Sequence, residues 1–267
     1  MRGEGLNGSD TLRCGLLYLV MILEDGFSTS ALEDSVLVIP TIAVGNLPQL
    51  STDLLLHTFN FQKVATLNDE FLFPFASPVD HSIMKQQPAG ISFAIEVYYS
   101  IDHHVTLVQQ RSPIIPGFVE SHVKEVIVPF VKAANPQHVL ILDSSDSALV
   151  EGMPQGNVQV HTSEDLLRES FSSLLIDKDS ARLFSDAESR FSEQTKALEK
   201  LLKPYANIVV LESFVYEGDN FFDAKALASK VVEMLNLPKA VFETPASWLG
   251  VYGDKPIPSA MEDGLYG

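Results

Sequence analysis

The sequence predicts an α/β protein with a mostly parallel sheet, helices on both faces of that sheet, and an inserted antiparallel hairpin. Short runs of apolar and β-branched residues alternate along the chain with stretches of helical periodicity, which is the pattern of parallel sheets covered on both faces. Two strand-like runs, 91–99 and 105–110, are separated by only five residues and therefore predict the hairpin. With 267 residues, 46% of them hydrophobic, the chain can bury a sizeable core.

The first half of the chain opens with Val36–Pro40, a β-branched run that ends at a proline. A helical period follows from Leu50 to Phe61, so this part predicts a strand, a loop and a helix. Short strands are then predicted at 64–67 and 71–75, followed by a proline-containing surface loop at 76–89 and the two hairpin strands.

The second half continues the alternation of strands and helices. Phe118, His122, Val126 and Phe130 recur at helical spacing, which predicts a helix over 117–134. The remaining predicted elements are a strand at 139–142, a helix at 187–202, a strand at 208–214 and a helix at 224–235. These elements divide the chain into a poorly ordered N-terminal extension (1–35), an α/β domain (36–253) with an acidic, solvated excursion at about 148–186, and a flexible C-terminal docking tail (254–267).

Charge and composition exclude several classes of function. Eighteen Lys and Arg residues oppose 35 Asp and Glu residues, giving a net charge of −17, which disfavours binding to the phosphates of nucleic acid. The longest apolar run, Leu16–Leu23, is too short to span a membrane. Cys14 is the single cysteine, so no internal disulfide or cysteine-based zinc site is expected, and a reducing compartment is predicted. The histidines lack metal-ligand spacing, and neither a metal nor a cofactor is expected.

Three polar segments follow predicted strands and are candidates for chemistry. Asp143–Ser147 lies where α/β sheets bind ligands, but the Gly-x-Ser-x-Gly elbow is missing and the preferred interpretation is capping of the next turn. Arg111 could hold a carboxylate of a ligand or could pair with an acid of the chain itself. Glu217–Asn220 predicts a tight turn at Gly218 and a helix cap at Asp219 or Asn220.

The last three residues, Leu265, Tyr266 and Gly267, are a candidate docking plug. Leu265 and the ring of Tyr266 offer apolar area, the phenol offers a hydrogen bond, and a terminal carboxylate would offer a negative charge.

Four segments together resemble the proteasome assembly chaperone 2 family in their order and rough spacing. They are Val38–Leu50 with Asp53 after it, Gln110–Pro113, Glu217–Asn220 and Pro245–Trp248. The residues that carry the family pattern are Gly45, Asn46, Gln49, Arg111, Gly218, Asp219, Asn220 and Trp248. The resemblance covers Val36 to about Gly253 together with the tail. It implies an α/β fold similar to nucleoside phosphorylases but without their catalysis.

The resemblance also implies partners. It implies a heterodimer with a chaperone of the proteasome assembly chaperone 1 type and binding of that pair to the ring of proteasome α subunits. Fungal members end in a hydrophobic-Tyr-X motif that docks between α subunits, and Leu265, Tyr266 and Gly267 match that motif. The implied role is to promote α-ring assembly and block premature activator binding, in the cytoplasm and with the nucleus as a second compartment, without nucleic acid, membrane or cofactor. The segment before Val36 and the side-chain-free Gly267 depart from the pattern.

Two other hypotheses stay open. A small-molecule enzyme of the nucleoside-phosphorylase type would use the polar pentad Asp143–Ser147, although it lacks a phosphate-binding loop. A scaffold that only dimerises would not depend on the C-terminal residues at all.

Overall fold

The computed structural model describes residues 20–149, 156–163, 181–184 and 190–252. The predicted tail residues Leu265, Tyr266 and Gly267 lie outside the described residues, as does the predicted extension up to residue 19.

One large sheet forms the centre of the molecule. The strands are β1 (Met21–Leu23), β2 (Val36–Pro40), β3 (Gln62–Leu67), β4 (Ala76–Pro78), β5 (Ile91–Phe93), β6 (Ile95–Ser100), β7 (Val105–Gln110), β8 (His138–Asp146), β9 (Val158–Thr162), β10 (Arg182–Leu183) and β11 (Asn207–Val215). Within the described residues, nine of them form the sheet in the order β1-β3-β6-β7-β2-β8-β11-β9-β10, and β4 and β5 form a separate antiparallel pair.

The four central strands, β7, β2, β8 and β11, run parallel to one another. Their carboxyl ends therefore share one edge of the sheet, called the carboxyl edge below. β6 and β7 form the predicted antiparallel hairpin, so β7 belongs both to the hairpin and to the parallel centre. On the other side, β9 runs antiparallel to β11.

Helices cover both faces, as predicted. They are α1 (Leu47–Thr58), α2 (Val119–His122), α3 (Val128–Ala134), α4 (Glu193–Leu202), α5 (Phe221–Met234) and α6 (Ala246–Tyr252), with a π-helical turn, Val123–Ile127, between α2 and α3. Leu54 of α1 and Leu227 of α5 belong to the core on one face, and Phe130 of α3 and Leu198 of α4 belong to the core on the other. None of the helices among the described residues is long and apolar enough to cross a membrane.

Two predictions for the first half of the chain were wrong. Residues 71–75 form no strand, since Leu72 makes only an isolated bridge to Ile114, and Pro74 has no N–H to offer a ladder. The predicted loop at 76–89 begins with β4, which pairs with β5.

Two polar segments are more integrated into the sheet than their sequence indicates. β8 continues through Asp143 to Asp146, so the first four residues of the pentad lie within the strand and not after it, and Ser147 begins the next turn. Within the predicted excursion, β9 pairs with β11, and both Val160 and His161 are buried. Acidic composition predicted solvation here, but pairing with β11 places 158–162 in the sheet and buries its last three residues.

Residues 20–35, which were predicted to belong to a poorly ordered extension, pack on the domain. β1 pairs antiparallel with β3, and the side chain of Leu32 is 1% exposed. A strand of three residues is too short to show a hydrophobic pattern in the sequence. It forms here because β3 supplies its hydrogen-bond partners.

Candidate functional site

The family-pattern segments meet at the carboxyl edge of the sheet. The loop after β2, the residue after β7 and the loop after β11 all leave from this edge, because their strands are parallel. Gly45 and Asn220, which are 175 positions apart in the sequence, thus become neighbours.

Gly45 and Asn220 are in direct contact. Gly45 adopts a φ of +65°, and a Cβ at this position would overlap the side-chain amide of Asn220. That amide is held in place, since it donates to the carbonyl oxygens of Tyr216 (3.1 Å) and Gly218 (3.1 Å). The glycine is therefore required both for its backbone conformation and for the space it leaves to Asn220.

The two loops that meet here are also closed internally. Asn46 adopts the left-handed conformation just before α1. With the side-chain amide of Gln49 turned so that its nitrogen faces them, Gln49 donates to the carbonyl oxygens of Asn46 (3.1 Å) and Thr41 (3.3 Å). In the other loop, Gly218 has a φ of +144°, and Asp219 accepts a hydrogen bond from the backbone N–H of Phe221 at 3.1 Å. The predicted tight turn and the predicted cap before α5 are therefore present.

Arg111 pairs with Asp53 of α1. The guanidinium makes two contacts with the carboxylate, at 2.8 and 2.9 Å, and Gln109 donates to the same carboxylate. Thr52 in turn donates to Gln109 at 2.7 Å. Of the two hypotheses for Arg111, the structure supports pairing with an acid of the chain, which joins α1 to the end of β7.

Asp143 connects three elements. Its carboxylate accepts hydrogen bonds from Thr41 after β2 (2.8 Å), from the backbone of Ser144 (3.0 Å) and from the backbone of Ser192 at the start of α4 (3.0 Å). Burial raises the pKa of Asp143, although these hydrogen bonds oppose the shift. Asp146 accepts from the backbone of Ala148 at 2.9 Å, which is the turn cap that the sequence predicted.

Glu212 was missed by the sequence analysis. It is fully buried in β11, and its carboxylate contacts His161 (2.9 Å), Ser145 (2.6 Å) and Arg190 (3.2 Å). Burial would raise the pKa of Glu212, but these contacts outweigh burial and lower it. An acid in the middle of the apolar run 208–214 was the available signal, because both faces of a central strand are buried.

Trp248 stacks on Phe221 with a ring separation of 4.3 Å and an angle of 9° between the planes. Phe221 begins α5 directly after the loop that carries Asn220. This contact places α6 beside the carboxyl edge, and the chain continues from Tyr252 of α6 into residues 253–267.

The buried carboxylates at the carboxyl edge are engaged by other groups of the chain. Asp53, Asp143 and Glu212 each accept several hydrogen bonds from the chain, and Gln194 of α4 bridges the backbone of Ile42 (2.9 Å) to the side chain of Gln110 (3.0 Å). Two cavities lined by described residues, of about 490 and 330 Å³, lie elsewhere, one against β1 and β3 and the other between α4 and the start of α2. Among the described residues, no group of three His, Cys, Asp or Glu side chains could hold a metal ion. The geometry fits a rigid framework that positions loops and α6.

Comparison with known proteins agrees with this framework. The PAC2 family model matches residues 37–233. The chain is 28% identical over 258 residues to the Proteasome assembly chaperone 2 of Saccharomyces cerevisiae, covering 82% of this chain and 95% of that protein. It is 24% identical over 265 residues to the protein of the same name from Homo sapiens, covering 90% of this chain and all of that protein.

Two solved structures share the fold. PbaB of Pyrococcus furiosus, described as an archaeal proteasome activator, superposes with a TM-score of 0.57 at 17% identity, over 82% of this chain and 90% of its own. PbaA of the same organism, described as an archaeal homolog of proteasome-assembly chaperone, gives a TM-score of 0.54 at 12% identity, over 92% and 93%. With the family match extending over most of the described domain, the chain belongs to the PAC2 family.

Proposed function

We propose that this chain is a proteasome assembly chaperone that pairs with a second chaperone of like fold and binds the α-subunit ring of the assembling core particle. The observation that carries the proposal is the similarity, over nearly their whole length, to relatives named Proteasome assembly chaperone 2. Membership of the PAC2 family alone would support the fold but would not point to the proteasome as a partner.

In this proposal, the body and residues 253–267 each contact the ring. Leu265 and Tyr266 insert into a pocket between neighbouring α subunits, while the body covers the outer face of the ring. Two linked contacts raise the effective concentration of a weak tripeptide, so the complex holds tighter than either contact alone. An occupied pocket also excludes activators that use similar tails, which prevents premature capping.

Deletion of Leu265–Gly267 from the full chain tests this role. We expect the deletion to weaken co-purification of the protein with α-ring intermediates. A matched control replaces 259–261 with glycines, which keeps the length of the tail and its last three residues, and should bind like the wild type. Unchanged binding after the deletion would contradict docking by the tail.

Pairing with a second chaperone is testable separately. Co-expression with a chaperone of the proteasome assembly chaperone 1 type should give a 1:1 complex on size-exclusion chromatography. Separate elution of the two chains at micromolar concentration would contradict the heterodimer.

One observation favours a second candidate, a small-molecule enzyme of the nucleoside-phosphorylase type. Buried polar side chains, including Asp143 and Glu212, lie at the carboxyl ends of parallel strands, which is where α/β enzymes bind ligands. The hydrogen bonds that both carboxylates already accept from other groups of the chain favour the chaperone, since a substrate would have to displace them. Phosphate-dependent cleavage of a nucleoside by the purified protein, lost in Asp143→Asn, would support the enzyme instead.

A further inference from the structure

Residues 243–247, just before and within the start of α6, are held by the loop between β4 and β5. The backbone N–H of Ile83 donates to the carbonyl of Thr244 (3.1 Å), and the N–H of Ala246 donates to the carbonyl of His81 (2.7 Å). Ser82 and Pro245 form an antiparallel bridge between these hydrogen bonds. We call residues 80–85 together with 243–247 the clamp.

Side chains strengthen the clamp at both ends. Asp80 accepts hydrogen bonds from the hydroxyl of Ser247 (2.6 Å) and from its backbone N–H (3.2 Å). It thereby gives one of the free N–H groups in the first turn of α6 a hydrogen-bond acceptor. Lys85 forms an ion pair with Glu243 at 2.9 Å, and that hydrogen bond lowers the pKa of Glu243.

The clamp is also attached to the body of the domain. Lys85 donates to the carbonyl of His57 in α1 (3.2 Å), and Thr58 accepts from the backbone N–H of Glu243 (3.0 Å). Together with the stack of Trp248 on Phe221, these contacts fix a helix of seven residues, which is too short to be stable in isolation.

Resting on the proposed function, we propose that the clamp fixes the point from which the C-terminal tail leaves the body, with Asp80 as the positioning residue. Residue 253 and the tail (254–267) can together reach at most about 50 Å from Tyr252. If the clamp opens, the linker to Leu265 begins after α5, at residue 235, and roughly doubles in length. The effective concentration of a linked ligand falls with about the −3/2 power of linker length, so this change alone lowers it about threefold.

The test uses the full chain and purified α-ring intermediates. Four proteins are compared: the wild type, Asp80→Ala, the deletion of Leu265–Gly267, and the two changes combined. We expect Asp80→Ala to weaken binding about threefold or more, and to have no further effect once Leu265–Gly267 is removed. Asp102→Ala, at the turn of the β6–β7 hairpin, is the matched control for loss of an acidic loop side chain and should bind like the wild type.

A second measurement follows the clamp directly. Amide exchange in 246–252 should accelerate in Asp80→Ala and in Ser247→Ala, which loses only the shorter of the two hydrogen bonds to Asp80, while exchange in β2 and β8 stays unchanged.

The outcomes separate the two proposals. If the tail deletion weakens binding but Asp80→Ala binds like the wild type, the clamp proposal alone is overturned. The clamp proposal is also overturned if Asp80→Ala weakens ring binding even when Leu265–Gly267 is absent. Unaltered exchange in 246–252 would also overturn it. A tail deletion without any effect would contradict docking by the tail, which is part of the proposed function, and the clamp's role in ring binding with it.

Discussion

At the scale of single residues, the contact between Gly45 and Asn220 explains why the chain needs glycine after β2. In Gly45→Ala, the new Cβ would meet the Asn220 amide, and the φ of +65° would also be strained. We expect the free energy of unfolding to fall by about 2–4 kcal/mol, measured by urea denaturation. Gly26→Ala is the matched control, because Gly26 has a φ of +78° with open space around it. An equal loss in both variants would mean that the overlap costs nothing.

A second residue, His122, makes stability depend on pH. Its side chain is fully buried, and neither ring nitrogen has a hydrogen-bond partner among the described residues. Burial lowers the pKa of His122 to about 4. Since the unfolded chain binds a proton at its ordinary pKa near 6.5, the contribution of His122 is complete above that pH and is lost as pH falls toward 4.

The expected loss from His122 between pH 8 and pH 5 is about 2 kcal/mol in the free energy of unfolding. His122→Leu fills the same buried position with an apolar side chain that does not titrate. It should remove this part of the pH dependence, as measured by urea denaturation at both pH values. Parallel pH profiles for the variant and the wild type would contradict a neutral, buried His122.

At the scale of elements, the sequence was sufficient where a pattern is long and local. The strand at 208–214 and the helix at 224–235 were predicted close to their observed bounds, because each buries a long run or a regular period of apolar residues. The hairpin was predicted in the right place, but its first strand is only Ile95–Ser100, since 91–93 pairs with β4 in the separate sheet. The failures concern partners distant in sequence. β1 is too short to be recognised without β3, and the extension of β8 through Asp143 depends on pairing with β11.

For the candidate site, too, the sequence predicted the features that depend on local chemistry and not those that depend on distant partners. The cap at Asp219 follows from local turn chemistry and was predicted. By contrast, the pair Asp53–Arg111 and the cluster around Glu212 depend on which strands become neighbours, which no local pattern specifies. The parallel order of β7, β2, β8 and β11 is what brings these residues to one edge.

The helix α6 should unfold locally before the rest of the domain. Trp248 is the single tryptophan of the chain, so its fluorescence reports on the stack against Phe221. Because the clamp and this stack hold α6, we expect Asp80→Ala to lower the urea midpoint of the fluorescence transition more than the midpoint of far-ultraviolet circular dichroism. Equal shifts of the two midpoints would instead show that α6 unfolds together with the sheet.

At the scale of the whole molecule, the central strands join two cores. Val38 and Leu140 face the core beneath α1 and α5, while Ile39 and Ile141 face the core beneath α3 and α4. Neither core can lose its packing without exposing the shared strands. We therefore interpret the described domain as one cooperative unit, to which α6 is attached at its carboxyl edge.

In the proposed complex with α-ring intermediates, the charge of the whole molecule should govern the association rate. The net charge is −17, and Glu262 and Asp263 lie just before Leu265, so a basic rim around the receiving pocket would steer the tail toward it. Salt screens such steering over distances of about 10 Å at 0.1 M. The association rate with α-ring intermediates, measured by stopped flow, should therefore fall several-fold between about 0.05 and 0.3 M salt.

The matched variants locate that charge effect. Glu262→Gln with Asp263→Asn should associate about two- to fivefold more slowly than the wild type at low salt and converge with it at high salt, because steering acts mainly on the association rate. Glu33→Gln with Asp34→Asn removes the same charge directly before β2, at the opposite edge of the sheet, where both side chains are exposed. If both double variants slow association equally, the total charge of the protein sets the association rate, and the position of the two acids beside Leu265 does not matter.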